Sequence, residues 1–439
     1  MVTNNTAELV PCAGLPVLMT VLTFASHTRV IQPCTSMTFR VFACALLVAG
    51  ACRPAAAQAP LSLAEALARA RAASPVMAAA KARGDAARAA SGLAGRFLNP
   101  LIELRSENWA NAAPDGTLPL DVFATVTQTL ELGGKRGARR AVAAAAVTSA
   151  AATEALVWRD LARGIALDYL AALRARDHAR ARAEFATQMA EAARIMAARV
   201  TVGSAPEADL LRLRTEETRA ALERTRADLA AARALASLGA LLGTDVAAGA
   251  LQMPPLTAVD GLTAVADTHP ELQVAASAAA QARAIADVEH ARSRPDLGVN
   301  AGFKRTAGFN TGVAALTVPI PLFDRNGVAR ALADGQVSAT THELAATRQR
   351  LTALLAASRD AAATLSARAA DVDAMLISPA RGARDAARAA FAAGALDVLR
   401  LVDAERLYVD ATVAATDLDI DAVAAALEAR LAAGEDPLP

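Results

Sequence analysis

The chain is written twice, and each copy is too long to be a solenoid unit. Ser74-Pro75 and Asn99-Pro100 recur as His269-Pro270 and Arg294-Pro295, both displaced by 195 residues. The stretch from Thr127 to Arg140 recurs from Thr317 to Arg330, displaced by 190, and Gly203 with Leu211 recurs as Gly394 with Val402, displaced by 191. The landmarks are Pro and Gly, which fix backbone geometry, and they keep their order. A period of about 190 residues far exceeds that of solenoid repeats. The chain therefore reads as two equivalent halves, 60–253 and 254–439, forming one pseudo-symmetric body.

With 45 basic and 44 acidic residues the net charge is +1, so no nucleic-acid or other polyanion partner is indicated. Hydrophobic residues make up 54% but aromatics only 3%. Most of the apolar content is Ala, a strong helix former that buries little area. That favours long helices packed closely through small side chains.

The N-terminus reads as a targeting segment. Residues 37–59 form a signal peptide: a short cationic region ending at Arg40, an apolar run from Val41 to Ala51, and small residues around a cleavage point after Ala57. Residues 1–36 lie upstream of this complete signal and read as a mis-assigned extension, with Met37 as the start. Cys12, Cys34, Cys44 and Cys52 all precede the cleavage point, so the mature chain relies on packing rather than disulfides. The alternative is a lipid anchor, because Ala49-Gly50-Ala51-Cys52 resembles a lipobox that would acylate Cys52.

Ser62 and Glu65 form a capping box for a first helix, and Pro75 starts a second that reaches about Arg96. Leu101–Trp109 and Asp121–Leu132 are strand candidates around the turn-rich loop Asn111–Gly116, giving a β-hairpin over 97–132. In the second copy a helix over 267–292 precedes a β-hairpin over 295–323. There Leu297, Val299, Ala301 and Phe303 alternate with Gly298, Asn300, Gly302 and Lys304. A polar second face fits either solvent beside a soluble sandwich or the lumen of a membrane barrel, and alternation alone does not choose. From Lys135 to Val202 the chain contains no Pro, which permits a helix of roughly 100 Å at about 1.5 Å per residue. The second copy repeats this from Asn326 until an expected break at Pro379. Helical hairpins over 135–243 and 326–433 turn at Gly203 and Gly394. Leu222 and Leu229 keep a heptad step, and Arg219–Glu223 is an i,i+4 ion pair. Such hairpins cannot bury their faces alone, and four strands cannot close a useful barrel, so several chains must pool them.

No enzyme chemistry is written here, and no cofactor. His178, His269, His290 and His342 are far apart without Cys partners or an i+3 or i+4 pair, so no metal site is predicted. Gly133-Gly134-Lys135-Arg136 lacks the frame of a phosphate loop and is better read as a strand-to-helix bend.

Gln128–Arg136, Val318–Gly327, Arg294–Leu297 and the turns Gly203–Leu211 and Gly394–Arg406, in this order on a duplicated frame, resemble the TolC-like outer-membrane efflux family over about residues 61–433. The Leu-Glu-Leu-Gly-Gly-Lys-Arg form ending at Arg136 resembles its heavy-metal cation branch, of cobalt–zinc–cadmium type. The resemblance implies a mainly α fold with a small β part, built as a homotrimer. A 12-stranded β-barrel in outer-membrane lipid would continue into a periplasmic α-helical barrel. It implies a passive gated conduit fed by an inner-membrane resistance-nodulation-division pump through a periplasmic adaptor. It also implies a gate at the helical turns. Asp403 falls on a pore-ring position and Asp209 on a closed-state latch position. Arg400 departs from the ring pattern, and Leu396 stands at the latch partner's position, leaving Asp209 with Arg400 as a substitute pair. A bland reading, in which Asp209 and Asp403 are solvated residues near a turn, stands beside this one. Two other functions compete: the outer-membrane component of a multidrug or type I secretion system, and a soluble periplasmic coiled-coil adaptor or spacer. Phe97, Trp109, Phe123, Phe303, Phe309 and Phe323 supply a sparse aromatic belt.

Overall fold

The computed structural model describes residues 61–108, 120–306 and 308–437. The upstream extension, the signal peptide with Cys52, the Asn111–Gly116 loop and Trp109 lie outside the described residues. Helix α1 (Leu63–Ala73) starts at the expected capping box, and α2 (Pro75–Leu93) has its Pro in the first turn. Strands β1 (Leu101–Glu107) and β2 (Asp121–Leu130) lead into α3, 67 residues from Lys135 to Thr201, and the return helix α4 (Glu207–Leu242). The same order is then repeated: α5 (Pro270–Arg292), β3 (Leu297–Thr306), β4 (Phe309–Thr317), α6 (Gly327–Val372), α7 (Ser378–Ala392) and the return helix α8 (Val398–Ala433).

Pro379 does not break the second long helix. A five-residue π-turn, Asp373–Ile377, joins α6 to α7, and the Ser378 N–H donates to the Asp373 carbonyl. The sequence pattern explains this. Leu351, Leu355, Ser358, Ala362, Leu365, Ala369 and Val372 are buried or half-buried at steps of four and three. A step of five then reaches Ile377, after which Ala380, Arg384, Ala387 and Phe391 resume the rhythm. A π-turn accommodates one extra residue inside a helix. It keeps both stretches facing α8 and takes up the backbone bond that Pro379 cannot make.

The long helices form a single layer. Near the sheet the neighbours run α2, α3, α5, α6; toward the turns they run α4, α3, α8 and then α6 with α7. Midway, α1 and the segment after α4 wrap around α3. Leu61 and Leu251 form a parallel bridge there. The fully buried Tyr169 hydroxyl lies 2.7 Å from the Leu61 carbonyl and 2.6 Å from that of Gln252, and accepts the Gln252 N–H at 2.8 Å. Ile165, Leu170 and Leu173 surround it, each contributing roughly 1.5–3 kcal/mol by burial.

The four strands make one antiparallel sheet in the order β1-β2-β3-β4, so the hairpins meet through β2 and β3 while β1 and β4 are edges. Between sheet and helices the backbone bends at Gly133 and Gly134, both at positive φ. A Cβ on Gly133 would come within 2.5 Å of the Arg294 side chain. Lys135 pairs with Asp296 at 2.8 Å, and Arg136 donates to the Gly95 carbonyl while lying over the Phe97 ring. The glycine-rich motif is thus a braced bend.

Candidate functional site: conduit lining and tip

Register decides what alternation could not. Glu103, Thr125 and Gly302 share one face with Asp121, Thr127, Asn300 and Lys304, while Ile102, Leu104, Ala124, Val126, Ala301, Phe303 and Leu316 share the other. The polar face is the more covered one. On it Asp121 pairs with Lys304 at 2.9 Å and accepts from Asn108 and Thr306, and Asn300 donates to Thr127 at 2.7 Å. On the apolar face Ile102, Leu104 and Leu316 are 68%, 77% and 72% exposed. A sheet with polar side chains knitted inward and large apolar ones bare outward is inverted relative to a water-soluble sheet. It matches a barrel wall in lipid. Phe97, Phe303, Phe309 and Phe323 are exposed. By register Phe123 and Phe309 lie on the polar face and Phe303 on the apolar one; Phe123 sits between Arg105 and Lys304, at 4.5 and 5.1 Å from its ring.

At the other end both helical turns use the same cap. Gly203 and Gly394 have φ of 71° and 78°. Ser204 N–H donates to the Arg199 carbonyl and Ala395 N–H to that of Ala390, the six-to-one bond of a Schellman motif. The tip core mixes both copies, Phe185, Met189, Met196 and Leu213 with Phe391, Val398, Leu401 and Val402. Arg199 fastens the copies by donating to the Phe391 and Ala392 carbonyls at 2.6 and 3.0 Å. Within the second hairpin Arg388 grips Glu405, which is only 2% exposed, and the pairing holds the guanidinium pKa above its ordinary value.

The three gate candidates are not brought together by one chain. Asp209 is half-buried in the first turn of α4, where a carboxylate favours the positive helix end. Arg400 and Asp403 stand on the exposed face of α8, flanked by Leu399 and Leu407. Among the described residues none of the three forms an ion pair.

Charged residues missed by motif reading bind the two copies along their seam. Arg163, Arg174, His178 and Arg182 of α3 meet Glu428, Asp421, Asp417 and Asp410 of α8, with His178–Asp417 at 2.9 Å. Their antiparallel spacing was the available signal. Higher up, buried His269 caps α5, its Nδ1 accepting the Glu271 N–H at 3.1 Å. Burial and the nearby Arg159 push its pKa below the ordinary histidine value. Burial pushes Glu271 up, but hydrogen bonding to Arg350 and the charge of Arg159 leave it below the usual carboxylate range. Among the described residues no cluster of three metal-binding side chains occurs.

The outer membrane efflux protein family matches residues 66–244. The chain is 29% identical to the cobalt-zinc-cadmium resistance protein CzcC of Cupriavidus metallidurans over 323 residues, 72% of this chain and 76% of that protein. It is 32% identical to the nickel-cobalt-cadmium resistance protein NccC of Alcaligenes xylosoxydans xylosoxydans over 271 residues, 57% of this chain and 59% of that one. Its fold superimposes on the outer membrane protein VceC of Vibrio cholerae with a TM-score of 0.72 at 17% identity, covering 85% of this chain and 96% of that chain. The soluble adaptor reading leaves the bare apolar face of the sheet unexplained. Sequence and fold agree instead on one likeness: the chain is similar to the outer membrane efflux proteins over residues 66–244 and shares the fold of outer-membrane channels.

Proposed function

We propose that three copies, each a duplicated half-repeat (60–253 and 254–439), close a 12-stranded barrel over a helical tunnel, and that this conduit exports heavy-metal cations. The observation that carries the reading is the inverted sheet with two open edges, β1 and β4. Open edges are unstable in lipid, and joining β4 of one copy to β1 of the next removes all of them. The helices support the same closure. Leu211, Thr215, Thr218, Leu222, Thr225 and Leu229 form a second heptad seam on α4, exposed throughout. The hydroxyls of Thr215, Thr218 and Thr225 bond to carbonyls of their own helix, which leaves a methyl-rich stripe for a neighbouring helix.

An inner-membrane resistance-nodulation-division pump, acting through a periplasmic adaptor, supplies substrate and energy, since the chain carries no reaction chemistry. Metal cations are favoured as cargo because the relatives CzcC and NccC are named for cobalt, zinc, cadmium and nickel resistance. Asp403, three times over, places carboxylates at the tunnel mouth, where they concentrate cations. Deleting the gene tests the cargo: cobalt, zinc, cadmium or nickel tolerance falls while drug tolerance holds. Unchanged metal tolerance with drug hypersensitivity rejects the metal branch in favour of multidrug export.

A further inference from the structure

The rim of the sheet nearest the long helices is strongly basic. It comprises the four segments that flank the strands there, 95–100, 131–140, 289–296 and 318–330. They hold nine of the chain's 45 basic residues but only four of its 44 acidic ones, so this rim carries +5 in a chain whose net charge is +1. Three of the four carboxylates are already taken: Glu131 pairs with Arg139, Asp296 with Lys135 and Glu289 with Arg292. Among the described residues Arg96, Arg136, Arg140, Arg294, Arg325 and Arg330 have no carboxylate partner. The opposite rim is different. There Arg105, Lys304 and Arg305 are set against Glu107 and Asp121, with Arg105–Glu107 at 3.2 Å and Lys304–Asp121 at 2.9 Å.

Assembly cannot remove the excess. Whatever pairs form between neighbouring copies, each copy brings the same surplus, so a ring of three triples it. Like charges so crowded repel unless something anionic from outside the chain lies among them.

The surroundings indicate where that partner lies. Arg140 heads an exposed stripe on α3, Ala144, Thr148, Ala151 and Ala155, which continues through Trp158 into Ala162 and Ile165, the side that α1 covers. A wrap of chain around a tunnel wall lies outside it, so Arg140 is on the outer surface. Large apolar side chains interleave with the arginines. Exposed Val318, Ile320 and Leu322 follow Leu316 at steps of two, Phe323 is fully exposed, and exposed Phe97 directly follows Arg96. Bare apolar side chains beside unpaired guanidiniums fit the boundary between hydrocarbon and headgroups, where the arginine stem lies on apolar surface and its head reaches out.

We propose that this arginine rim binds anionic phospholipid headgroups of the leaflet facing the periplasm. The inference rests on the channel reading, which places the helices on that side of the membrane. A guanidinium donates two parallel N–H bonds to phosphate oxygens, and its neighbours in the rim add attraction for the same negative charge. The bound lipids neutralise the rim and fix the depth at which sheet gives way to helices.

Two measurements test it. In the first, wild-type protein in phospholipid vesicles is exposed to phosphatidylglycerol carrying a photoreactive headgroup, and labelled peptides are identified by mass spectrometry. Labelling at 95–100, 131–140 and 318–330 is expected to exceed that at 103–107 and 304–306 by at least about tenfold. Equal labelling of the two rims overturns the proposal, as does equally strong labelling of the basic rim by the matching phosphatidylcholine. In the second, native mass spectrometry from detergent reads the preference for phosphatidylglycerol over phosphatidylcholine. Arg96→Gln with Arg140→Gln and Arg325→Gln is expected to lower that preference at least about tenfold, whereas Arg305→Gln at the opposite rim keeps it. A wild-type preference in the triple variant overturns the proposal. If that variant does not assemble, the labelling contrast decides. A wild-type protein that stays soluble and monomeric without detergent refutes the channel reading itself; a membrane-embedded assembly indifferent to lipid charge refutes the rim alone.

Discussion

Ala301 and Asn300 are neighbours in β3 whose side chains leave the sheet on opposite faces, so arginine at the two positions has opposite consequences. Ten residues at about 3.3 Å each, tilted by about 40°, span roughly 25 Å, the height of the apolar band. Ala301 then lies near the middle of that band, beside Val126 and Ala314. Arginine there costs about 2–4 kcal/mol per chain, or about 6–12 kcal/mol for a trimer. Asn300→Arg removes the hydrogen bond to Thr127, worth about 1 kcal/mol, and leaves the guanidinium among polar neighbours. Urea titration of the protein in lipid vesicles, followed by circular dichroism, measures both. Ala301→Arg is expected to prevent assembly or lower the midpoint steeply, with Asn300→Arg close to wild type. The reverse order, or equal losses, refutes the assignment of lipid and lumen faces.

Other consequences are equally direct. Because His269 has a lowered folded pKa, the unfolded chain binds its proton first as pH drops below about 6.5. Stability should therefore fall on acidification, by at most about 1.4 kcal/mol per pH unit, until the folded pKa is reached. His269→Gln should flatten that part of the stability–pH profile, and an unchanged slope would disprove the attribution. Arg388→Ala leaves Glu405 buried without its partner and should destabilise by about 3–5 kcal/mol, whereas Arg388→Met with Glu405→Met should recover most of the loss in thermal melts. Gly133→Ala forces an L residue to φ 72° against the Arg294 side chain. It should lower the stability measured in thermal melts by at least the roughly 1–2 kcal/mol of a left-handed residue, and Gly137→Ala, in open space within α3, should not. Asp403→Asn should reduce the preference for cations over anions in bilayer reversal potentials without changing assembly.

Much of the architecture was legible because Pro and Gly mark where helices begin and end. Pro75, Pro270, Gly203 and Gly394 sit where they were expected, and Ser62 with Glu65 capped the first helix. Pro379 misled for a physical reason. A proline predicts a stop only if nothing supplies the missing bond, and the step of five just before it is a fainter signal than the proline. Strand alternation showed two faces but not which was outside, since a period of two looks the same inverted. The pairing of Phe123 with Lys304 and of Ala124 with Phe303 sorts the residues into faces, and the exposure of Ile102, Leu104 and Leu316 tells the two apart. The gate candidates remained separate because Asp209 belongs to the first turn of α4 in one copy and Arg400 to an exposed face of α8 in the other.

The open edges β1 and β4 also bear on how such a protein can come to exist. Backbone groups left unpaired in hydrocarbon cost several kcal/mol each, so a lone chain has no stable home in the bilayer. Insertion and association must be a single event. Its yield should then rise more steeply than linearly with the supply of chains, and a cell making too few of them would accumulate periplasmic protein vulnerable to proteases instead of fewer working channels.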